Sequence, residues 1–131
     1  MITVIKSPFV QYKLTILRNK KTSNTVFRQT MNEISYLIAS DVLQYVPFKK
    51  QTIETPLKKM SGTALGQPII LVPILRAGLG LLEGFAKFLP EAEKGHIGLY
   101  RDEQTYEPVE YLFKLPRVKN KKVLILDPML A

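Results

Sequence analysis

Apolar positions recur along this chain with different periods, and each period predicts a kind of element. From Phe27 to Tyr45 the apolar residues Phe27, Met31, Ile34, Ile38, Val42 and Tyr45 are spaced 4, 3, 4, 4 and 3 apart, which keeps them on one helical face. Ser23 is a good N-cap and Pro47 ends the run, so the pattern predicts a helix over roughly 24 to 45 whose stripe packs into a core. A shorter helix opens at Pro8, carries Val10, Leu14 and Leu17, and ends in the basic turn Arg18 to Lys21. Ile69 to Leu75 contains no polar residue. An apolar run of that length, bounded by turn signals, predicts a strand buried on both faces. Val123 to Leu126 predicts another buried strand.

The remaining elements follow from weaker patterns. Leu82, Phe85 and Leu89 have helical spacing and close at Pro90. His96 to Tyr100 reads as a strand. Val109, Tyr111 and Phe113 alternate with Glu110, Leu112 and Lys114, the pattern of a half-exposed strand. Together 95 to 114 predict a long hairpin with a flexible tip, placed to cover a ligand. Residues 2 to 5 read as a short edge strand, 50 to 60 as a small exposed hairpin or edge pair broken by Pro56, and Ser61 to Gln67 as a loop.

The chemistry concentrates at Pro68 to Gly84, PIILVPILRAGLGLLEG. The apolar strand stops at a single charge, Arg76, and Gly78 and Gly80 follow before a helix begins. Glycines between strand and helix allow close backbone approach to a ligand. A helix N-terminus offers unpaired N–H groups and a positive dipole end, and phosphate is the usual anion for such a seat. Arg76 adds a permanently charged donor fork. The same residues serve equally as an ordinary strand-to-helix turn with Arg76 solvated. The glycines spell GxGxxxG, one residue longer than the dinucleotide fingerprint, which argues against a Rossmann site. Asp127 stands at the carboxyl end of its strand, as Arg76 does. Ligands of open α/β sheets bind at that edge, so the two are expected to face one crevice.

Composition narrows the chemistry. With 131 residues, 46% hydrophobic and 23% charged, the chain reads as one soluble domain with a single core. There is no cysteine, which removes disulfides, thiolate catalysis and cysteine-based metal sites and fits a cytoplasmic protein. The N-terminal MITVIKSPFV does not read as a secretory leader, and no apolar run reaches the ~18 residues of a membrane span. The net charge of +8 suits an anionic partner, a phosphorylated small molecule or a nucleic acid. Each basic cluster taken singly reads as a solvated turn. His96, the only histidine, has no evident partner and is given no role.

VPILRAGLG (72–80), HIGLYRDEQTYEPVEYLFKLP (96–116) and LILDPMLA (124–131) resemble the uracil phosphoribosyltransferases. SPFVQYKLTILRN (7–19) and the FRQ at 27–29 are weaker echoes, and 36 to 60 departs from the family pattern. The resemblance implies an α/β fold, an incomplete type I phosphoribosyltransferase-like parallel sheet with flanking helices, N-terminal helices and a protruding β-hairpin. It implies transfer of ribose 5-phosphate from 5-phospho-α-D-ribose 1-diphosphate to uracil, giving UMP and diphosphate in pyrimidine salvage. By motif, Arg76 and the backbone of Ala77, Gly78 and on to Gly80 would hold the diphosphate, and Arg101 would be the second diphosphate-binding arginine. Asp127 would bind the ribose hydroxyls at the head of a motif continuing through Pro128, Met129, Leu130 and Ala131. Mg²⁺ would arrive on the diphosphate, no residue is assigned as catalytic, GTP activates some members, and the family is usually dimeric or larger.

The family motif continues beyond Ala131 into a phosphate loop, and the uracil-binding part follows it. Residues 1–131 therefore read as the N-terminal part of a single domain, with no transferase activity expected of them alone and with aggregation expected through an uncovered sheet. Two other readings fit the same residues: an RNA-binding pyrimidine regulator of the same fold, motivated by the basic clusters, and a remnant without function of its own. The VPILRAGLG and GLYRDEQTYEPVEY segments favour the enzyme.

Overall fold

The structure is a computed structural model that describes residues 2–129. Helix α1 (Pro8–Arg18) is capped by the Ser7 hydroxyl, which accepts from the Val10 N–H, and has proline in its first turn, where a missing N–H costs nothing. Helix α2 (Asn24–Leu43) is capped likewise by Ser23. An antiparallel hairpin follows, β1 (Phe48–Glu54) and β2 (Lys59–Leu65). Next come β3 (Ile69–Leu75), α3 (Leu79–Phe88), β4 (Glu93–Lys94), β5 (His96–Arg101), β6 (Pro108–Lys114) and β7 (Lys122–Leu126).

The main sheet is built around β3. β7 runs parallel along one of its edges, with Ile69 opposite Lys122 and Pro73 opposite Leu126. β4 and then β5 run parallel along the other edge, β4 beside Ile70 and Leu71 and β5 beside Ile74 and Leu75. β6 returns antiparallel to β5. Helices α2 and α3 cover one face. Ala39, Val46, Ile69, Leu71, Leu81, Phe85, Leu89 and Leu126 form the core there, and burying each large side chain stabilises by about 1.5–3 kcal/mol.

A single close contact sets how α2 lies on α3. A β-carbon at Gly84 would fall 2.6 Å from the Tyr36 nitrogen, so only glycine lets the two backbones approach this far. The buried Ser35 hydroxyl donates to the Leu81 carbonyl at the same crossing. The expected stripe packs inward at Met31, Ile34, Ile38 and Val42. Its two ends do not: Phe27 is 43% exposed, and Tyr45, beyond the helix end at Leu43, is 66% exposed.

Four other expectations change. Residues 2 to 5 form no strand. Ser61 to Leu65, expected as loop, belong to β2, whose ladder with β1 extends to Phe48 opposite Leu65. A bulge between Gly98 and Leu99 shifts β6, leaving Val109 and Leu112 half-buried while Tyr111 and Phe113 are exposed. β7, expected buried, has Ile125 63% exposed beside Leu126 at 4%. It pairs with β3 alone among the described strands.

Candidate active site at the carboxyl edge of the sheet

β3 and β7 run parallel and in register up to Pro73 and Leu126, so Arg76 and Asp127 leave adjacent strands at the same edge. β5 runs the same way, and its last pair with β3 is Leu75 opposite Gly98. Arg101 lies three residues further along β5, roughly 10 Å beyond that edge at the usual rise per residue. Thus the three charged residues expected at the site issue from three neighbouring parallel strands at one end. Arg76, Arg101 and Asp127 are all exposed, and none of them enters a hydrogen bond to another or a salt bridge among the described residues.

The glycine turn is built by steric necessity. Gly78 has φ −60° and ψ −20°, a conformation open to any residue. Its lack of a side chain is what counts: a β-carbon there would lie 2.6 Å from the Ile74 nitrogen, 2.7 Å from the Ile74 oxygen, and against the Leu126 carbonyl oxygen. Gly78 therefore seats the turn directly on the ends of β3 and β7. The peptide between Leu75 and Arg76 is cis.

The turn uses most of its own donors. Gly78 N–H donates to Ile74 O at 2.7 Å, Leu79 N–H to Arg76 O at 3.2 Å, and Gly80 N–H to Ala77 O at 3.1 Å. The N–H groups of Arg76 and Ala77 take no part in these turn bonds. Of the expected run from Ala77 to Gly80, the Gly78, Leu79 and Gly80 N–H groups are thus engaged within the turn itself. Gly80 instead meets Met31, whose γ-carbon would be 2.9 Å from an added β-carbon.

At the tip of the β5–β6 hairpin one carboxylate organises the loop that carries Arg101. The Asp102 Oδ1 accepts from the Gln104 N–H at 2.9 Å, the Thr105 N–H at 2.8 Å and the Thr105 hydroxyl at 3.1 Å. These donors, led by the Thr105 and Gln104 amides, hold the Asp102 carboxyl below its ordinary pKa. Tyr106 closes the loop at φ 59°, an uncommon region for a residue with a side chain. Asp127 accepts from the Met129 N–H at 3.2 Å, turning the chain after β7. Leu130 and Ala131 lie outside the described residues.

A cleft of about 660 Å³ adjoins this edge, and sequence reasoning did not identify it. Its apolar side is Leu14, Leu17, Phe27 and Met31; Arg18 and Arg28 border it, and Ala77, Gly80, Pro128 and Met129 join it to the turn. The FRQ at 27–29 was the available signal. Arg18 read as part of a solvated basic turn, and only the packing of α1 on α2 brings it beside Arg28.

Among the described residues no helix is long and apolar enough to cross a membrane. The family model described as uracil phosphoribosyltransferase matches residues 4–131. The chain is 47% identical over 130 residues to the uracil phosphoribosyltransferase of Levilactobacillus brevis, and 46% identical over 130 residues to that of Streptococcus mutans. Each match covers 98% of this chain and 62% of the relative, so the chain spans less than two thirds of their length. A solved structure, the AQ2163 protein from Aquifex aeolicus, superimposes with a TM-score of 0.90 at 35% identity, covering all of this chain and 64% of that one.

Proposed function

The chain belongs to the uracil phosphoribosyltransferase family, and on that premise we propose that it forms the diphosphate-binding part of a phosphoribosyltransferase domain. The reaction is transfer of ribose 5-phosphate from 5-phospho-α-D-ribose 1-diphosphate to uracil. The observation that carries this reading is the convergence of Arg76, Arg101 and Asp127 at the ends of three parallel strands.

In this reading the diphosphate sits on the Arg76 guanidinium and the Arg76 and Ala77 amides. Arg101 closes over it on the β5–β6 hairpin, and Asp127 takes the ribose hydroxyls. The motif continues through Pro128, Met129, Leu130 and Ala131. The C1–O bond breaks with its electron pair leaving on the diphosphate, uracil N1 forms the new bond, and its proton passes to solvent. Negative charge grows on the leaving group, so fixed N–H donors and guanidinium groups aimed there lower the barrier. Positive charge grows on the ribose ring, where the Asp127 carboxylate is placed to offset it.

Mg²⁺ belongs to the substrate here. When bound with the diphosphate, the metal would neutralise part of the leaving group's charge. Activation by GTP, a homo-oligomeric whole enzyme and a cytoplasmic location complete the reading.

The test is calorimetric titration of the purified chain with inorganic diphosphate. Binding is expected, weakened about 10- to 100-fold by Arg76→Ala, as for loss of a charge-assisted hydrogen bond. The unfolding midpoint should stay unchanged, because Arg76 is exposed. Affinity unaffected by Arg76→Ala would sink the reading.

A further inference from the structure

The hydrogen bonds that close the tip of the β5–β6 hairpin converge on Asp102. Its N–H donates to the Glu107 carbonyl and its carbonyl accepts from the Tyr106 N–H, both at 2.9 Å. Its Oδ1 accepts from the Gln104 and Thr105 amides and from the Thr105 hydroxyl. That hydroxyl accepts in turn from the Glu107 N–H at 3.3 Å. We propose that Asp102 is the positioning residue for Arg101, holding the tip so that the neighbouring guanidinium is presented to the diphosphate. The proposal rests on the proposed function, which assigns the diphosphate to Arg101.

The strand ladder by itself fastens Arg101 weakly. Its last pair sets Arg101 opposite Pro108, and proline has no N–H to give to a ladder. The next closure along the chain is the Asp102 network. Glu103, Gln104, Thr105, Tyr106 and Glu107 are all exposed, so little apolar burial offsets the entropy lost in ordering them. Polar bonds must hold the tip, and these either end on Asp102 or reach it through Thr105. Asp102 is half-buried, better shielded from water than the loop it closes.

Charge points the same way. Asp102 is the carboxylate next to Arg101 in the chain, and an ion pair between the two would cancel the charge that an anion needs. No such pair forms: the Asp102 Oδ1 is engaged by the donors of the tip, and Arg101 enters no salt bridge among the described residues. One side chain thus both fixes the loop and leaves its basic neighbour free for a ligand.

Calorimetric titration with inorganic diphosphate tests this. Asp102→Ala should weaken binding about tenfold, the scale of one misplaced charge-assisted hydrogen bond. Asn is the other side chain that closes such turns, so Asp102→Asn should restore affinity to within about threefold of the parent. In a chain already carrying Arg101→Ala, Asp102→Ala should cause no further loss, because two residues that act through one contact are not additive. Combined with Arg76→Ala its loss should multiply. A nitroxide attached at Arg101→Cys, in a chain with no other cysteine, should be held in place and become mobile when Asp102→Ala is added, with no ligand present. An equal loss from Asp102→Ala with and without the Arg101 guanidinium overturns the proposal, as does a label whose mobility Asp102→Ala leaves unchanged. A parent chain that binds no diphosphate overturns the proposed function and the ligand given to Arg101 here; the label separates that failure from a failure of Asp102 to fix position 101.

Discussion

At the residue scale the turn after β3 shows how one atom's absence places a site. Gly78 adopts a backbone any residue tolerates, yet a methyl group there would overlap the Ile74 backbone and the Leu126 carbonyl. Gly78→Ala is therefore expected to destabilise by about 2–3 kcal/mol, the range for overpacking a site that cannot give way. A urea titration of the purified variant checks this, and an unchanged midpoint would show the turn to be more yielding than its geometry implies. Ser35 makes the complementary case. Its buried hydroxyl donates to Leu81 O, so Ser35→Ala removes a partner without adding bulk and should cost about 1 kcal/mol. These two glycine-and-serine contacts were legible only as residue types. A sequence reader sees a strand–glycine–helix turn, but not which backbone the glycine must clear.

At the element scale two carboxylates carry the pH response. Lys13 of α1 pairs with Glu33 of α2 at 2.6 Å. The Lys13 contact first, then Gln29, holds the Glu33 carboxyl below its ordinary pKa. Asp102 is lowered by the amides of its own hairpin tip. A carboxyl whose folded pKa is depressed stabilises fully above its unfolded value, about 4, and loses that contribution as pH falls through the folded value. The α1–α2 contact and the hairpin tip should therefore be constant from neutral pH down to about 4 and loosen below it. Amide exchange of Gln104 and Thr105, followed against pH, checks the hairpin. In Asp102→Ala the two amides should exchange fast at every pH, and protection that survives this substitution would show that the carboxylate does not order the tip. The helices, the central strand and the β5–β6 hairpin were readable in the apolar pattern because their periods are local. The bulge at Tyr111, the β6 residue left over where Gly98 and Leu99 pair with Leu112 and Glu110, was not, because alternation along one strand carries no record of where its pairing with a neighbour slips.

At the scale of the whole molecule stability is uneven. β3 is buried along most of its length and is paired on both edges. Every residue of β1 is exposed, and the β1–β2 hairpin makes a sheet of its own. Local opening costs least where few apolar contacts are lost. Native-state hydrogen exchange should find β3 amides the slowest and β1–β2 amides open independently of the core. Equal protection in the two would contradict the separation. The basic residues behind the net charge of +8 are spread over strands and helices as well as turns, Lys49 and Lys50 lying in β1 rather than in the turn expected. The pair that borders a cleft, Arg18 and Arg28, is assembled by helix packing from residues ten apart in the sequence.

The sequence alone determined the order and kind of most elements, the strand–glycine–helix turn at Arg76, and the placement of Arg76 and Asp127 at strand ends. Those properties depend on neighbours a few residues away, and on an apolar run whose burial its composition dictates. Tertiary structure decided the rest. It brought the Ser35 backbone against α3, because Gly84 admits a backbone at that point. It also committed the Gly78, Leu79 and Gly80 N–H groups to the turn itself. Each of these outcomes is fixed by which distant backbone comes within a few ångströms, a relation that exists only once the chain has folded.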